Sequence, residues 1–261
     1  MLKIRIIPRL LVNQNPRSSD FIVFTTSEYK TWRPMSKLES AVRVLEAQEP
    51  DEISILFRSS KGNYGYASVL QQISTLSETL TTPLSVGGFS SLQGCPVTAL
   101  FNAGADKLIV NSLLYSDPSR IRTIASEHGA QSISAAVDLE LVNNRLMARA
   151  ETLEFGIRFL EINDWIQLAI NVGVGELQLT SVDYDGSLVT EQYLEKTLPQ
   201  FVSTGLPIVY GGGCYSVDTF FKAFSLGVSG VSAGSFFLKK DQNLSELKAH
   251  LYNKQLPVRP S

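Results

Sequence analysis

The sequence is poor in the residues that most often form metal sites, disulfides and histidine-based catalytic centres. It has two cysteines and two histidines in 261 residues. Cys95 and Cys214 lie far apart with no metal-ligand spacing, so we predict two free thiols in a reducing cytoplasm. His128 and His250 lie at the ends of predicted helices, in ASEHGA and LKAHLY, and we interpret them as structurally incidental. Neither a metal nor a cofactor is expected.

No charge of one sign dominates, and long apolar runs are absent. The formal net charge is −2 with both signs interspersed, which argues against a nucleic-acid partner. No uninterrupted apolar stretch approaches the ~20 residues of a membrane span. The first residues, MLKIRIIPRLLV, acquire charge too early for a signal peptide. We therefore expect a cytoplasmic protein that contacts neither nucleic acid nor membrane.

The chain does contain a regular alternation of short apolar runs and longer amphipathic segments. Strand-like runs cover residues 4–12, 53–57, 84–86, 108–110, 133–137, 177–179, 208–210 and 231–233. Segments with helical periodicity cover residues 35–47, 67–80, 97–102, 119–127, 164–172, 191–201, 216–225 and 244–252. This alternation predicts an α/β fold, a closed parallel (β/α)8 TIM barrel. The length suits one such barrel of ~250 residues, so we predict a single domain over residues 1–261.

An internal repeat divides the chain into two halves. PLSVGG from Pro83 precedes AGADKLIVNS, which ends at Ser112, and PIVYGGG from Pro207 precedes LGVSGVSAGS, which ends at Ser235. The first pair is offset by 124 positions and the second by 123. We interpret the chain as two fused half-barrels. The long polar segment from residue 13 to residue 34 follows the first strand, and we predict a functional or mobile loop over the barrel mouth.

Each half has a glycine turn after one strand and a small polar residue after a later strand. Glycine lets a backbone N–H approach a ligand closely, and such turns often hold phosphate. A purely structural role in tight turns is the alternative. Two such sites on one mouth predict a ligand with a phosphate at each end. The candidate phosphate-binding residues are Gly88, Asn111 and Ser112 in one half, and Gly212, Gly213, Gly234 and Ser235 in the other.

Carboxylates end two of the predicted strands. Asp138 ends the fifth strand in AAVDLE, where a side chain projects into the mouth as a candidate general acid or base. Thr180 is a second catalytic candidate, at the end of the sixth strand in LTSVDYDG. Asp183 and Asp185 follow it, and for these two a loop-tying role is the alternative.

Four charged residues open strands at the opposite end of the barrel. If they point inward, they form a ring of two positive and two negative charges at the barrel floor. If they point outward, they are simply solvated, and the strand pattern alone does not decide between these alternatives. The four residues are Arg5, Glu52, Lys107 and Glu176.

Over nearly its whole length the chain resembles the cyclase subunit of imidazole glycerol phosphate synthase, the HisF-like barrels. The motifs that carry the resemblance are SVGG, AGADKLIVNS, ELQLTSVDYDG, GGG and AGS. The resemblance implies a bisphosphorylated ribonucleotide ligand, whose second phosphate site would also include Asp185 and Gly186. It further implies a HisH-like glutaminase partner, which docks at the barrel floor near Asp106. Its ammonia would enter the barrel through a gate formed by the four charged residues.

The sequence departs from the family pattern where the ring closure takes place. The family uses aspartates that end strands 1 and 5; the second is Asp138, but Leu11 stands at the first position. Phe57 and Arg58 stand where the family has an aspartate ending strand 2, and the family's lysine-bearing loop has no counterpart in NQNPRSSD. A general acid or base contributes ~10²–10⁴-fold to a rate. Efficient cyclase activity is therefore not expected.

Three functions follow, in order of preference. The first is a HisF-like subunit of a glutamine amidotransferase complex. It conducts ammonia for the amidation of a sugar nucleotide or related substrate in surface-polysaccharide (lipopolysaccharide) biosynthesis, where a third subunit performs the amidation. The second is an authentic imidazole glycerol phosphate synthase subunit, a lyase of histidine biosynthesis. The third is a non-catalytic scaffold barrel that binds a phosphorylated ligand.

Overall fold

The computed structural model describes residues 4–15, 17–18, 20–27, 30–57, 66–89, 97–152, 156–239 and 243–259. Cys95 and Arg58 lie outside these ranges. The strands are β1 (Arg5–Gln14), β2 (Phe21–Ser27), β3 (Thr31–Lys37), β4 (Ile53–Phe57), β5 (Leu84–Gly87), β6 (Lys107–Val110), β7 (Ile133–Val142), β8 (Arg145–Thr152), β9 (Gly156–Glu161), β10 (Glu176–Ser181), β11 (Ile208–Gly211) and β12 (Gly230–Ala233). The helices are α1 (Leu38–Glu46), α2 (Tyr66–Ser77), α3 (Val97–Asn102), α4 (Ser112–Ser116), α5 (Pro118–His128), α6 (Ile162–Val172), α7 (Glu191–Val202), α8 (Val217–Ser225), α9 (Ser235–Lys239) and α10 (Leu244–Asn253).

Eight parallel strands close into a barrel. They follow one another in the order β10, β11, β12, β1, β4, β5, β6 and β7, and β7 then pairs with β10. Helices separate consecutive barrel strands along the chain. The predicted α/β class and (β/α)8 barrel are confirmed. Within the described ranges, no helix combines the length and the apolar character needed to cross a lipid bilayer.

Successive side chains of each barrel strand point alternately toward the surrounding helices and into the lumen of the barrel. On β1, the buried side chains of Ile6, Leu10 and Val12 belong to the main hydrophobic cluster that the helices cover. Arg5 and Arg9 have the opposite parity, as expected for successive residues of a strand. The same rule holds on the other barrel strands, so lumen-facing residues can be read at every second position.

The segment between residues 13 and 34 was predicted as a loop, and this prediction is wrong. Its described part contains β2, which pairs antiparallel with the end of β1 and with β3. The alternating burial of β2 explains the pairing, because Phe21 and Val23 are buried while Ile22 and Phe24 are partly exposed. Threonine and serine made the segment look polar, although threonine is also a frequent strand residue.

A second antiparallel extension, β8 and β9, follows β7 in the other half of the barrel. It was also missed in the sequence. Both extensions follow the first strand of a half-barrel, and β2 and β8 begin 124 positions apart, at Phe21 and Arg145. This is the offset of the sequence repeat, so the two halves share even their inserted strands. The extensions form opposite walls above the barrel mouth.

Candidate functional site

A cavity of about 600 Å³ opens at the carboxyl ends of the barrel strands. Both inserted sheets contribute to it, with Phe24 and Trp32 on one side and Arg149 and Glu151 on the other. The glycine turns of both halves and Asp138 also line it. The structure therefore brings the predicted phosphate-binding and catalytic residues together around one mouth, as expected for a (β/α)8 barrel.

The turns after β5 and β6 carry the first group of candidate phosphate-binding residues. Gly88 has a φ of 89°, and a Cβ atom there would lie 2.2 Å from the carbonyl oxygen of Phe57. Only glycine fits this position without displacing the backbone. Asn111 follows β6, and the hydroxyl of Ser112 donates a hydrogen bond to the carbonyl oxygen of Glu151 at 2.5 Å. The second inserted sheet thus closes onto this turn.

The turns after β11 and β12 carry the second group. Gly212 and Gly213 have φ values of 81° and 87°, and a Cβ atom on Gly213 would lie 2.6 Å from Cβ of Val189. A buried hydroxyl network supports the turn from below: Tyr210 donates to the carbonyl oxygen of Gly212 at 3.0 Å. Ser181 lies 2.9 Å from the Tyr210 hydroxyl. Gly234 and Ser235 line the same part of the cavity.

Two aspartates after β10 tie neighbouring segments to the barrel. Asp183 accepts a hydrogen bond from the backbone N–H of Leu141 at 2.9 Å, which confirms the loop-tying alternative for this residue. Asp185 accepts from the Thr26 hydroxyl at 2.6 Å, and its own N–H donates to Val182. Asp185 and Gly186 both line the cavity.

Asp138 lies in the cavity beside Asn111. The amide nitrogen Nδ2 of Asn111 donates to Oδ2 of Asp138 at 3.0 Å. Thr180 faces the cavity from the next barrel strand and accepts a hydrogen bond from Nη1 of Arg9 at 2.7 Å. Sequence reasoning missed Arg9. Arg9 lies four residues after Arg5 on β1, so both side chains point to the same face of the strand, and this spacing could have identified it.

Apolar side chains take the remaining part of the inner wall. Leu11 lies on the cavity wall together with Leu56, Ile109 and Ala136. None of these side chains can transfer a proton. Phe24 and Trp32 add an aromatic pair with ring centroids 6.4 Å apart. The wall near Leu11 can thus contact a ring or an alkyl group, and the ionisable side chain on the facing strands is Asp138.

At the opposite end of the lumen, the four charged residues form a closed ring of ion pairs. Arg5 contacts Glu52 at 2.6 Å and also contacts Glu176, and Lys107 contacts the same two carboxylates at 3.3 and 3.0 Å. Both glutamates are 4% exposed. The alternative in which these side chains point outward is therefore excluded. Ser85 donates a further hydrogen bond to Glu52.

The ring changes the pKa values of Arg5 and Glu176. Burial by itself would raise the pKa of Glu176, but the charges of Arg5 and Lys107 outweigh it, so the pKa is lowered. Burial likewise opposes the charge on Arg5, but the two glutamates raise the pKa of its guanidinium. All the charges are thus held in place by their neighbours, as a buried ion pair requires.

The lumen between this ring and the mouth contains polar side chains without partners. In the described part of the chain, no acceptor or donor reaches the side-chain oxygens of Ser54, Ser134 and Ser232 or the amide nitrogen of Gln178. All four have the lumen-facing parity of the ring residues, and all are buried. Leaving a buried polar group unpaired costs about 1–3 kcal/mol. The lumen therefore offers hydrogen bonds that the protein itself does not use.

Asp106, His128 and Cys214 lie in different parts of the barrel. Asp106 is exposed beside Lys107, and its carboxylate accepts from the backbone N–H of Leu84 at 2.8 Å. His128 packs against Phe101 with ring centroids 4.5 Å apart. Cys214 is a buried free thiol. Within the described residues, no group of three histidine, cysteine, aspartate or glutamate side chains could hold a metal ion.

The chain resembles curated proteins over most or all of its length. A protein of Prochlorococcus marinus, provisionally named imidazole glycerol phosphate synthase subunit hisF2, is 30% identical over 99% of both chains. The imidazole glycerol phosphate synthase subunit HisF of Dictyoglomus thermophilum is 30% identical, again over 99% of both. The HisF subunit of Helicobacter hepaticus is 33% identical over 73% of this chain and 75% of its own.

Fold and site together define a two-fold repeated (β/α)8 barrel with glycine turns at its mouth and a ring of ion pairs at its floor. Residues 43–243 match the family described as histidine biosynthesis protein. The chain belongs to this family, and within it the chain is a HisF-like synthase barrel.

Proposed function

We propose that this barrel is the synthase-side subunit of a glutamine amidotransferase complex, in which it receives ammonia at its floor and conducts it to the mouth. The observation that carries the proposal is the ring of Arg5, Glu52, Lys107 and Glu176 at one end of the lumen. Such a ring contributes little to stability compared with apolar packing, because desolvation offsets most of the Coulomb attraction. A role in controlling entry to the lumen accounts for it better.

The polar interior above the ring supports the same proposal. A small molecule that both donates and accepts hydrogen bonds can exchange partners among Ser54, Ser134, Gln178 and Ser232, whose polar groups are unpaired. Ammonia has this property. A scaffold barrel, the third candidate, would need no such series of unpaired groups, and apolar side chains would fill its interior at lower cost.

The partner of the proposed complex is a HisH-like glutaminase, which docks at the floor beside the ring. Asp106 is exposed at this end and next to Lys107 in sequence, which supports a role for it in the contact. The relatives in Dictyoglomus and Helicobacter are named as subunits, in agreement with a function inside a complex.

At the mouth, the glycine turns around Gly88 and Gly213 would hold phosphate groups of a ligand. The aromatic pair Phe24 and Trp32 offers flat surfaces on which a ring can stack. A sugar nucleotide or a related molecule combines a phosphate with such a ring. We propose that amidation in surface-polysaccharide biosynthesis is the pathway and that a third subunit performs the amidation itself.

The alternative is an authentic imidazole glycerol phosphate synthase subunit of histidine biosynthesis. The similarity to HisF subunits over 99% of the chain favours it. Leu11 opposes it, because a leucine on the cavity wall leaves Asp138 without the second proton-transfer group that the family pattern requires.

One experiment separates these functions. The purified barrel is incubated with the bisphosphorylated ribonucleotide substrate of the HisF family and excess ammonium at alkaline pH, without a glutaminase. We expect no turnover above background, although the ligand binds. Turnover at an ordinary enzymatic rate would establish the histidine-pathway alternative and overturn the leading proposal.

A second experiment tests conduction in the assembled complex of barrel, glutaminase and amidating subunit. Glutamine labelled with ¹⁵N in its amide is supplied together with excess unlabelled ammonium, and the label in the product is measured. The unchanged complex should incorporate almost only ¹⁵N, whereas Arg5→Ala should admit unlabelled ammonium or release labelled ammonia. Arg145→Ala, which removes an exposed ion pair with Glu161, is the matched control. If the product of the Arg5→Ala complex contains the same fraction of ¹⁵N as that of the unchanged complex, the ring does not act as a gate.

A further inference from the structure

The floor of the mouth, one layer below the glycine turns, contains three side chains with unused hydrogen-bond donors. They are Arg9 on β1, Gln178 on β10 and Ser232 on β12, and all three line the cavity. No described residue supplies a partner for three buried atoms, which are Nε of Arg9, Nε2 of Gln178 and Oγ of Ser232. We call these three residues the donor cluster.

The head of Arg9 has a defined position. Nη1 donates to the Thr180 hydroxyl at 2.7 Å. Nη2 lies against Gly211, where a Cβ atom would be only 2.9 Å away, so the missing side chain at Gly211 makes room for the guanidinium. The same Cβ position lies 2.6 Å from Oγ of Ser232. The guanidinium and the serine hydroxyl are therefore neighbours at the end of β11.

Arg9 forms no ion pair with the described residues. In the part of the chain that the structure describes, no carboxylate comes within ion-pair distance of its guanidinium. Cys214 is the nearby acidic group, and burial raises the pKa of its thiol to about 12 although Arg9 acts in the opposite direction. The thiol is thus neutral at physiological pH. Arg9 is partly buried, and its buried Nε has no partner among the described residues. A charge in such a position favours a counter-ion that can also accept hydrogen bonds.

Gln178 and Ser232 strengthen this conclusion. Each is 2% exposed, and neither has a partner for the atom in question. Thr180, which accepts from Arg9, keeps its own hydroxyl hydrogen available as a donor. The donor cluster therefore combines one positive charge with several hydrogen-bond donors. This combination fits an anion rather than a neutral hydroxyl group or a cation.

We propose that the donor cluster binds a carboxylate of the ligand, so that the substrate class of this barrel is a phosphorylated carboxylic acid, sugar acids included. The planar guanidinium fork matches a carboxylate, which can accept from two nitrogens at once. Gly211 immediately precedes the Gly212–Gly213 turn, so a short linker connects a carboxylate on Arg9 to a phosphate in that turn. The proposal rests on the proposed function in one respect, the assignment of the turns to phosphate.

Two small phosphorylated probes differ in whether they carry a carboxylate. 3-Phosphoglycerate carries a phosphate and a carboxylate, whereas glycerol 3-phosphate has a hydroxymethyl group in place of the carboxylate. Calorimetric titration of the full chain with each probe should show that 3-phosphoglycerate binds more tightly by roughly 10- to 100-fold, the range for one charge-assisted hydrogen bond. Equal affinities, or no binding of either probe, would overturn the proposal.

Two variants test which residues cause the tighter binding of 3-phosphoglycerate. Arg9→Gln should reduce it to less than about 3-fold, and Ser232→Ala, a small change that preserves the packing, should reduce it by a few-fold. A preference that survives both substitutions refutes the donor cluster as its source. If Arg9→Gln weakens both probes equally, the guanidinium belongs to the phosphate and the carboxylate assignment fails.

The phosphate turns are tested separately with Gly213→Ala. If this variant binds both probes as well as the unchanged chain does, the turn is not a phosphate site and that part of the proposed function fails. The preference for the carboxylate, measured as a ratio between probes, would still report on Arg9. The two failures are therefore distinguishable.

Discussion

The side-chain amide of Asn111 donates a hydrogen bond to the carboxylate of Asp138, with 3.0 Å between Nδ2 and Oδ2. This contact joins a candidate phosphate-binding residue to the candidate acid or base of the mouth. The amide N–H donates to one carboxylate oxygen and thereby fixes its position. Asp138 is thus held in one orientation next to the first glycine turn.

If the barrel conducts ammonia and leaves the amidation to another subunit, Asp138→Asn should change product formation by less than about 3-fold. The substitution keeps the size of the side chain and removes its ability to accept a proton. The measurement is the steady-state rate of the assembled complex with glutamine. A loss of ~10²-fold or more, the contribution of a general acid or base, would instead place Asp138 in the chemistry.

Gly213→Ala should lower both stability and anion binding. The left-handed φ of 87° costs an alanine about 1 kcal/mol, and its Cβ atom would also lie 2.6 Å from Val189. Gly205→Ala is the control, because Gly205 has a φ of 76° but no atom within 4 Å of the added Cβ. Urea unfolding should show the larger loss for Gly213→Ala. Inorganic phosphate should raise the melting temperature of Gly205→Ala more than that of Gly213→Ala, which keeps only the site around Gly88; an equal rise in both would contradict the assignment of phosphate to the Gly213 turn.

Tyr210→Phe should weaken phosphate binding several-fold and destabilise the fold by about 1 kcal/mol, the net value of one hydrogen bond. Its hydroxyl donates to the carbonyl oxygen of Gly212 and thereby fixes the turn. Tyr193→Phe is the matched control, since it removes a contact with Ser181 but none with the turn. Burial raises the pKa of Tyr193 to about 12, so its hydroxyl is protonated at neutral pH. Phosphate titration followed by melting temperature should separate the two variants; equal losses of affinity would remove the role given to the Gly212 contact.

Glu176→Gln should make the free energy of unfolding depend less on pH below neutrality. The pKa of Glu176 is lowered from its ordinary 4.5, so its ion pairs stabilise the fold above that pH. This contribution is lost as the pH falls through the lowered value. At pH 7 the variant should be less stable by about 3 kcal/mol, the lower end for a broken buried ion pair. Unfolding by urea between pH 3 and pH 7 measures both effects.

The exposed pair of Arg145 and Glu161 provides the control for this profile. Its carboxylate is about half exposed, so Glu161→Gln should change stability by less than about 1 kcal/mol at any pH in the range. If Glu176→Gln behaves in the same way as Glu161→Gln, the ring at the floor does not hold its charges as the structure indicates.

The barrel could be predicted from the sequence because strand-like and helix-like periods alternate from one end to the other. The inserted strands could not. FIVFTTS in β2 is short and lies between polar segments, and its pairing with β1 depends on contacts that a single strand does not reveal. The same holds for β9, most of whose residues are exposed at the edge of its sheet.

The residues of the site that belong to recognisable sequence motifs could be predicted. The glycine turns stand at strand ends that the pattern locates, and they meet Asp138 at one mouth in the structure. Asp138 was predicted to end its strand, but β7 continues to Val142 because it pairs there with β8. The inward orientation of the floor ring was undecided, since a shift of one residue in a strand reverses its faces. Arg9 and the unpaired groups of the lumen went unnoticed because an absent partner can be recognised only when all neighbours are placed.

The ring at the floor has a property that a single buried ion pair lacks. Each of its four charges contacts two charges of opposite sign, so Arg5 and Lys107 share both Glu52 and Glu176. When one of the four contacts separates, every charge still has a counter-ion. If the ring opens as proposed, the separation of one contact therefore leaves no desolvated charge without a counter-ion, and the usual penalty for an isolated buried charge does not arise. The other three contacts would still hold the four side chains together.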